Sequence, residues 1–185
     1  MGILETDTIV LDQVSTFMSN DFGIHDLTGR PVGRIVTEGG GMQRFFMGSR
    51  QLAVVDADER LLIRVVDPPD FGLDTFEVQD WQGTLVAKVV KEFTFFKKSL
   101  RIELTTGPQL RLTGSIFDGE FEVVGPGGRA ATCSRSWPGL ADMLTGRDSY
   151  VLGFVPQVPT PEKLGTIGAV IALELIRTKE RRNNG

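Results

Sequence analysis

The chain has 185 residues, 41% of them hydrophobic and 24% charged, which is enough for one domain with a sizeable core. A net charge of −4 and a pI near 5.1 argue against a nucleic-acid partner, since binding to phosphate backbones calls for a basic domain. One cysteine, Cys133, and one histidine, His25, exclude an internal disulfide, a cysteine metal site and paired-histidine metal ligation, and fit a reducing compartment.

The first twenty residues carry no basic region followed by an apolar core, so no secretory signal is expected. Met1-Gly-Ile-Leu-Glu-Thr6 matches a myristoylation pattern short enough to arise by chance. A first strand is expected near residues 8–13. Four segments then share one layout. They are Phe22-Gly-Ile24-His-Asp26-Leu-Thr-Gly29, Leu52-Ala-Val54-Val-Asp56-Ala-Asp-Glu59, Phe76-Glu-Val78-Gln-Asp80-Trp-Gln-Gly83 and Phe121-Glu-Val123-Val-Gly125-Pro-Gly-Gly128. Apolar residues two apart put one strand face into a core. Asp starts a turn by accepting from amides just ahead, and Gly supplies the positive φ that closes a hairpin. A second β-branched strand returns in the first three, and the pattern fades in the fourth, which is followed by Ala131 and Cys133.

Further hairpins fill the gaps. Phe93-Thr-Phe-Phe turns through Lys97-Lys-Ser into Leu100-Arg-Ile-Glu-Leu104, and Leu104-Thr-Thr-Gly107-Pro turns into Leu110-Arg-Leu. Asp118-Gly119 reads as a two-residue turn. The count reaches about a dozen antiparallel strands, and closure into a barrel removes their exposed edges. Residues 138–144 read as one or two helical turns and residues 150–155 as a last strand.

A helix is expected from Pro161, capped by Thr160. Its apolar run, residues 164–176, spans roughly 20 Å as a helix, against about 30 Å for a bilayer core. Leu164, Ile167, Ile171 and Leu175 form one stripe, with Val170 beside it; Gly165, Gly168, Ala169 and Ala172 form another. A helix apolar on every side is buried on every side, and here the available place is the lumen of a barrel. The basic tail from Arg177 to Arg182 suits the negative end of the helix dipole.

The repeated hairpins followed by an apolar helix resemble the tubby C-terminal-like superfamily, in particular the LURP-one-related proteins and phospholipid scramblases. Ile9-Val-Leu-Asp-Gln13, Asn20-Asp-Phe-Gly-Ile24-His-Asp26-Leu-Thr-Gly29, Ser134-Arg-Ser-Trp137, Asp148-Ser-Tyr150-Val and Ile167-Gly-Ala-Val-Ile-Ala-Leu-Glu-Leu-Ile176 carry the likeness. The resemblance implies a closed barrel of about twelve strands around a hydrophobic C-terminal helix. It implies no shared enzyme: tubby-like domains bind phosphoinositides, and scramblases are credited with calcium-dependent lipid mixing. Just before the last helix the scramblases carry several acidic residues. Here Asp148 alone remains, too few oxygens for calcium.

Arg34, Arg64 and Lys88 each lie eight residues after a turn Asp, either as cations for lipid phosphates or as a solvated barrel exterior. Lys97, Lys98 and Arg101 cluster beside Phe93, Phe95 and Phe96, a composition suited to a membrane interface. Cys133 reads as a buried inert thiol. His25 reads as a surface or hairpin residue with no catalytic partner. The Asp67, Asp70, Asp74 loop reads as a cation site or, from its Pro and Gly, an ordinary solvated loop; Gly39-Gly-Gly41 reads as a flexible turn, and Ser134 and Ser136 lack a hydrolase frame.

The sequence thus reads as one domain over residues 1–185, mainly β, with a barrel at 8–155 and a central helix at 161–179. The expected function is a non-enzymatic module binding anionic phospholipid, phosphoinositide or an acyl ligand, without metal or cofactor. It would be cytoplasmic and peripheral to a membrane, with no transmembrane span and no nucleic acid. The alternatives are a protein-interaction scaffold, whose partner the sequence does not name, and a calcium-independent scramblase.

Overall fold

Three hairpins are closed by the same hydrogen bonds, and those turns set one end of the molecule. The computed structural model describes residues 2–12, 21–37, 51–68, 75–94, 97–116, 118–135 and 149–183. Asp26 N–H donates to Arg30 O at 2.9 Å and Gly29 N–H returns to Asp26 O at 3.0 Å. The pattern repeats from Asp56 to Arg60 and from Asp80 to Thr84, at 2.8 and 2.9 Å. The third residue after Asp is left-handed: Gly29 at φ 81°, Gly83 at 83° and Glu59 at 62°. Glu59 therefore holds a conformation that side chains rarely adopt. Each of these hairpins, and a fourth at Val123/Val124, also carries a β-bulge beside its turn, which tightens local twist.

The strands are β1 (Thr8–Asp12), β2 (Asp21–His25), β3 (Pro31–Thr37), β4 (Gln51–Asp56), β5 (Leu61–Val66), β6 (Thr75–Asp80), β7 (Leu85–Thr94), β8 (Lys97–Leu104), β9 (Gln109–Ser115), β10 (Glu120–Gly125), β11 (Gly128–Ser134) and β12 (Ser149–Phe154). Each is antiparallel to its neighbours in sequence, and β1 pairs with β12, with Leu11 opposite Tyr150, to close the ring. Alternate residues point inward. Ile24, Val54, Ile63, Val65, Phe76, Val78, Val89, Ile102, Leu112, Val123 and Leu152 are all fully or almost fully buried.

Helix α1 (Thr160–Asn183) follows β12 and occupies the lumen. A Cβ on Gly168 would meet Val78 of β6 at 2.5 Å, and one on Gly165 would meet Leu104 of β8 at 2.7 Å. On its other side Glu174 bonds to Tyr150 of β12. β6 and β12 lie halfway round the ring from each other, so the helix touches opposite walls. Ile167, Val170, Ile171 and Leu175 are at most 4% exposed, and Leu164 is partly buried against the same core. The small-residue stripe lets β6 to β8 approach the helix backbone closely. Among the described residues, no helix is long and apolar enough to cross a membrane.

Three details differ from the sequence reading. α1 runs to Asn183, beyond residue 179, because its last turns find partners on the barrel wall. Lys97-Lys98-Ser99 do not turn; they extend β8, paired with Thr94, Phe93 and Glu92, since each added pair completes more of the ladder. Asp118-Gly119 close a longer connection: Asp118 N–H donates to Ser115 O at 2.9 Å, leaving four residues between β9 and β10. Residues 138–144, Gly39-Gly-Gly41, Asp70, Asp74, Phe95, Phe96, Ser136 and Asp148 lie outside the described residues.

Candidate functional site

The barrel has an entry end, where α1 begins and the Asp turns lie, and an exit end, where α1 leaves. At about 1.5 Å per residue the 24-residue helix spans about 36 Å, while the six residues of β12 span about 20 Å. The helix overruns the wall, so its last turns lie at the exit end.

At the entry end, residues 2–7 lie across the mouth as a strap. Ile3 is fully buried and its N–H donates to Asp56 Oδ1 at 2.8 Å. Asp26 and Asp80 instead use their carboxylates within their own turns, each accepting from backbone amides two and four residues ahead. A hydrogen bond from the Thr28 side chain, with the Thr28 and Arg30 amides and the Arg30 charge, brings the Asp26 carboxyl down to about 2. Lys163, on the first turn of α1 and 4% exposed, donates through Nζ to Leu4 O at 2.9 Å and Thr6 O at 2.8 Å. Its ammonium also lies 4.9 Å from the Phe154 ring centre. Burial pushes the Lys163 pKa down, partly offset by Asp7 and Glu5.

Near the exit end, Glu174 is 4% exposed, accepts from Tyr150 Oη at 2.6 Å and pairs with Arg177 at 2.7 Å. The Tyr150 ring lies near two guanidiniums, Arg135 at 5.6 Å and Arg177 at 5.7 Å. Cys133 is buried; burial, with Glu120 and Glu174 adding to it, raises its thiol far above the ordinary value. Further out, Lys91 pairs with Glu180 at 2.9 Å and Lys179 with Asp67 at 2.8 Å. Asp67 is therefore no solvated loop residue: it is 5% exposed and ties the last turns of α1 to the end of β5.

The sequence-selected cations do not converge. Arg34, Arg64 and Lys88 lie on β3, β5 and β7, so alternate strands separate them by about 10 Å. Arg34 forms a forked pair with Glu59, Nη2 to Oε2 at 2.6 Å, which holds Glu59 below the usual carboxylate range. Arg64 stands in register with Ala53 and Gln79, and Lys88 with Glu77 and Glu103. Arg101 is shared between Glu92 at 2.7 Å and Glu103 at 3.0 Å. Lys97 and Lys98 occupy the first two positions of β8, at the exit end. Among the described residues, no group of three or more His, Cys, Asp or Glu side chains is placed to hold a metal ion.

Sequence reasoning overlooked Lys163, the Tyr150–Glu174–Arg177 cluster and Lys91–Glu180. One available signal was Glu174 inside an apolar run, three residues before Arg177, which is ion-pair spacing on a helix.

The profile of a family described as LURP-one-related matches residues 6–161. A protein from Arabidopsis thaliana solved by X-ray crystallography superposes with a TM-score of 0.57 at 14% sequence identity, covering 89% of this chain and 90% of that one. At that identity the likeness is one of fold. Among curated proteins, none matches this sequence.

Proposed function

The chain belongs to the LURP-one-related family, and on that premise we propose that it is a non-enzymatic module that binds anionic membrane lipid through the exit end of its barrel. The observation that carries this reading is that the start of β8, with Lys97 and Lys98, and the C-terminal end of α1 share the exit end. Lys97 and Lys98 open β8 opposite Thr94 and Phe93, and the Arg181-Arg182 end of α1 leaves on the same side. At the entry end the turn carboxylates are already met: Asp26 pairs with Arg30, Asp58 with Arg60 and Glu59 with Arg34, while Asp56 accepts from Ile3 N–H. Basic residues gathered at one end suit an anionic bilayer surface.

Arg34 and Arg101 take a lesser part in this reading, since carboxylates already engage them. α1 fills the lumen, so an acyl chain is not assigned a place inside the barrel. A calcium-independent scramblase would have to pull α1 away from Tyr150, Lys91 and Asp67, which counts against it. The scaffold reading has one observation in its favour: Trp81 is 65% and Leu27 40% exposed at the entry-end turns.

Cosedimentation with neutral, phosphatidylserine and phosphoinositide vesicles tests the proposal, with and without calcium and across ionic strength. Retention on anionic vesicles is expected at low salt, independent of calcium and fading as screening grows. Retention on no vesicle would overturn the lipid reading and leave the scaffold.

A further inference from the structure

At the entry end, beyond the lipid reading at the opposite rim, the strap has the form of an intramolecular ligand. Three features point that way. The Lys163 ammonium is buried; the Asp7 and Glu5 carboxylates act on it only through space, and its two hydrogen-bond acceptors are the neutral carbonyls of Leu4 and Thr6. A buried charge is better satisfied by an opposite charge than by neutral dipoles. Ile3 is a fully buried aliphatic side chain seated on a bare backbone: a Cβ on Gly33 would meet Ile3 Cδ1 at 2.5 Å. Thr166, one turn further along α1 from Lys163, has its hydroxyl buried with no hydrogen-bond partner among the described residues.

We infer that this mouth is a binding site for a medium-chain aliphatic carboxylate, which the strap occupies in its absence. The carboxylate takes both Lys163 hydrogen bonds from Leu4 O and Thr6 O, and the alkyl chain takes the seat of Ile3 on Gly33. The exchange puts an anion in place of two carbonyls and an alkyl chain in place of a side chain. The strap has a fixed hinge, since Phe154 N–H donates to Asp7 O at 2.7 Å. Upstream of it, the Ile3–Asp56 hydrogen bond is the polar tie to β4. Because a closed strap lowers the apparent affinity by the fraction of molecules open, loosening it must raise that affinity.

The probe is octanoate, with octanol as the neutral head of equal chain length, titrated calorimetrically without vesicles. Ile3→Ser is expected to bind octanoate about tenfold or more tightly than the unsubstituted protein. Adding Lys163→Met should abolish the gain, and octanol should bind more weakly to both proteins. Equal octanoate affinity with and without Ile3→Ser, or binding indifferent to Lys163, overturns the inference. A second readout needs no substitution. Saturating octanoate should speed amide hydrogen exchange at Ile3 and Thr6, whose N–H groups bond to Asp56 and Ile3 O, while α1 stays protected. Unchanged exchange there at saturation would equally overturn it.

Discussion

The hairpin turns and the exit-end seat of α1 are held by different kinds of bond. At the entry end the turns are stitched by contacts two to four residues apart, such as the Asp26 carboxylate to the amides of Thr28 and Arg30. At the exit end the ties are long-range: Tyr150 reaches Glu174 across 24 positions, Lys91 reaches Glu180 across 89 and Lys179 reaches Asp67 across 112. The first set forms as each hairpin forms. The second exists only once α1 has entered the closed ring, so it reports docking of the helix and not the integrity of any hairpin.

Breaking the exit end should therefore cost most. Glu174→Ala leaves the Arg177 guanidinium and the Tyr150 hydroxyl buried without their shared acceptor, and should lower stability by about 3–5 kcal/mol. Guanidinium unfolding checks this, with the midpoint falling at an unchanged slope. Next comes the helix seat. Gly168→Leu drives side-chain atoms into Val78 and should cost about 1–3 kcal/mol, read as a lower melting temperature with the strand signal retained up to it.

The entry end responds to acid instead. The Asp26 carboxyl lies at about 2 in the fold, against about 3.9 in an unfolded chain. Its contribution is present above the unfolded value and is lost as pH falls toward about 2. Asp26→Asn should therefore narrow the stability difference between pH 5 and pH 2, and an unchanged difference would show that Asp26 contributes nothing there. The smallest effect is expected outside the barrel. Arg34→Ala removes an exposed ion pair with Glu59 and should leave the unfolding midpoint unmoved within error, as such pairs commonly do.

That same contrast explains what the sequence could disclose. The Asp-x-x-Gly turns were legible because Asp, the left-handed residue and the returning strand all fall within one short window. Glu59 shows the limit, since it takes φ 62° where the pattern asks for Gly. The lodged helix was legible because its apolar run is too short for a bilayer and apolar all round, and its glycines face β6 and β8 as close approach requires. The polar cluster at the exit end was not. Tyr150 stands 24 positions from Glu174 until the ring closes, and Lys163, directly before the apolar run, is buried beneath the strap. The cation row was half legible: alternation placed Arg34, Arg64 and Lys88 along alternate strands, but the carboxylates that meet Arg34 and Arg101 come from other segments.

The lipid reading depends on which end meets the bilayer, and Trp81 marks the entry end at 65% exposure. A Trp137→Phe variant leaves Trp81 as the single tryptophan, since the chain has two. Its emission is followed during titration with phosphatidylserine vesicles containing brominated lipid, with and without Lys97→Glu and Lys98→Glu. Vesicle binding is expected to leave Trp81 emission unshifted and unquenched, and to be lost on reversing the two lysines. A blue shift with quenching of Trp81, or binding that survives the reversal, would contradict the lipid reading.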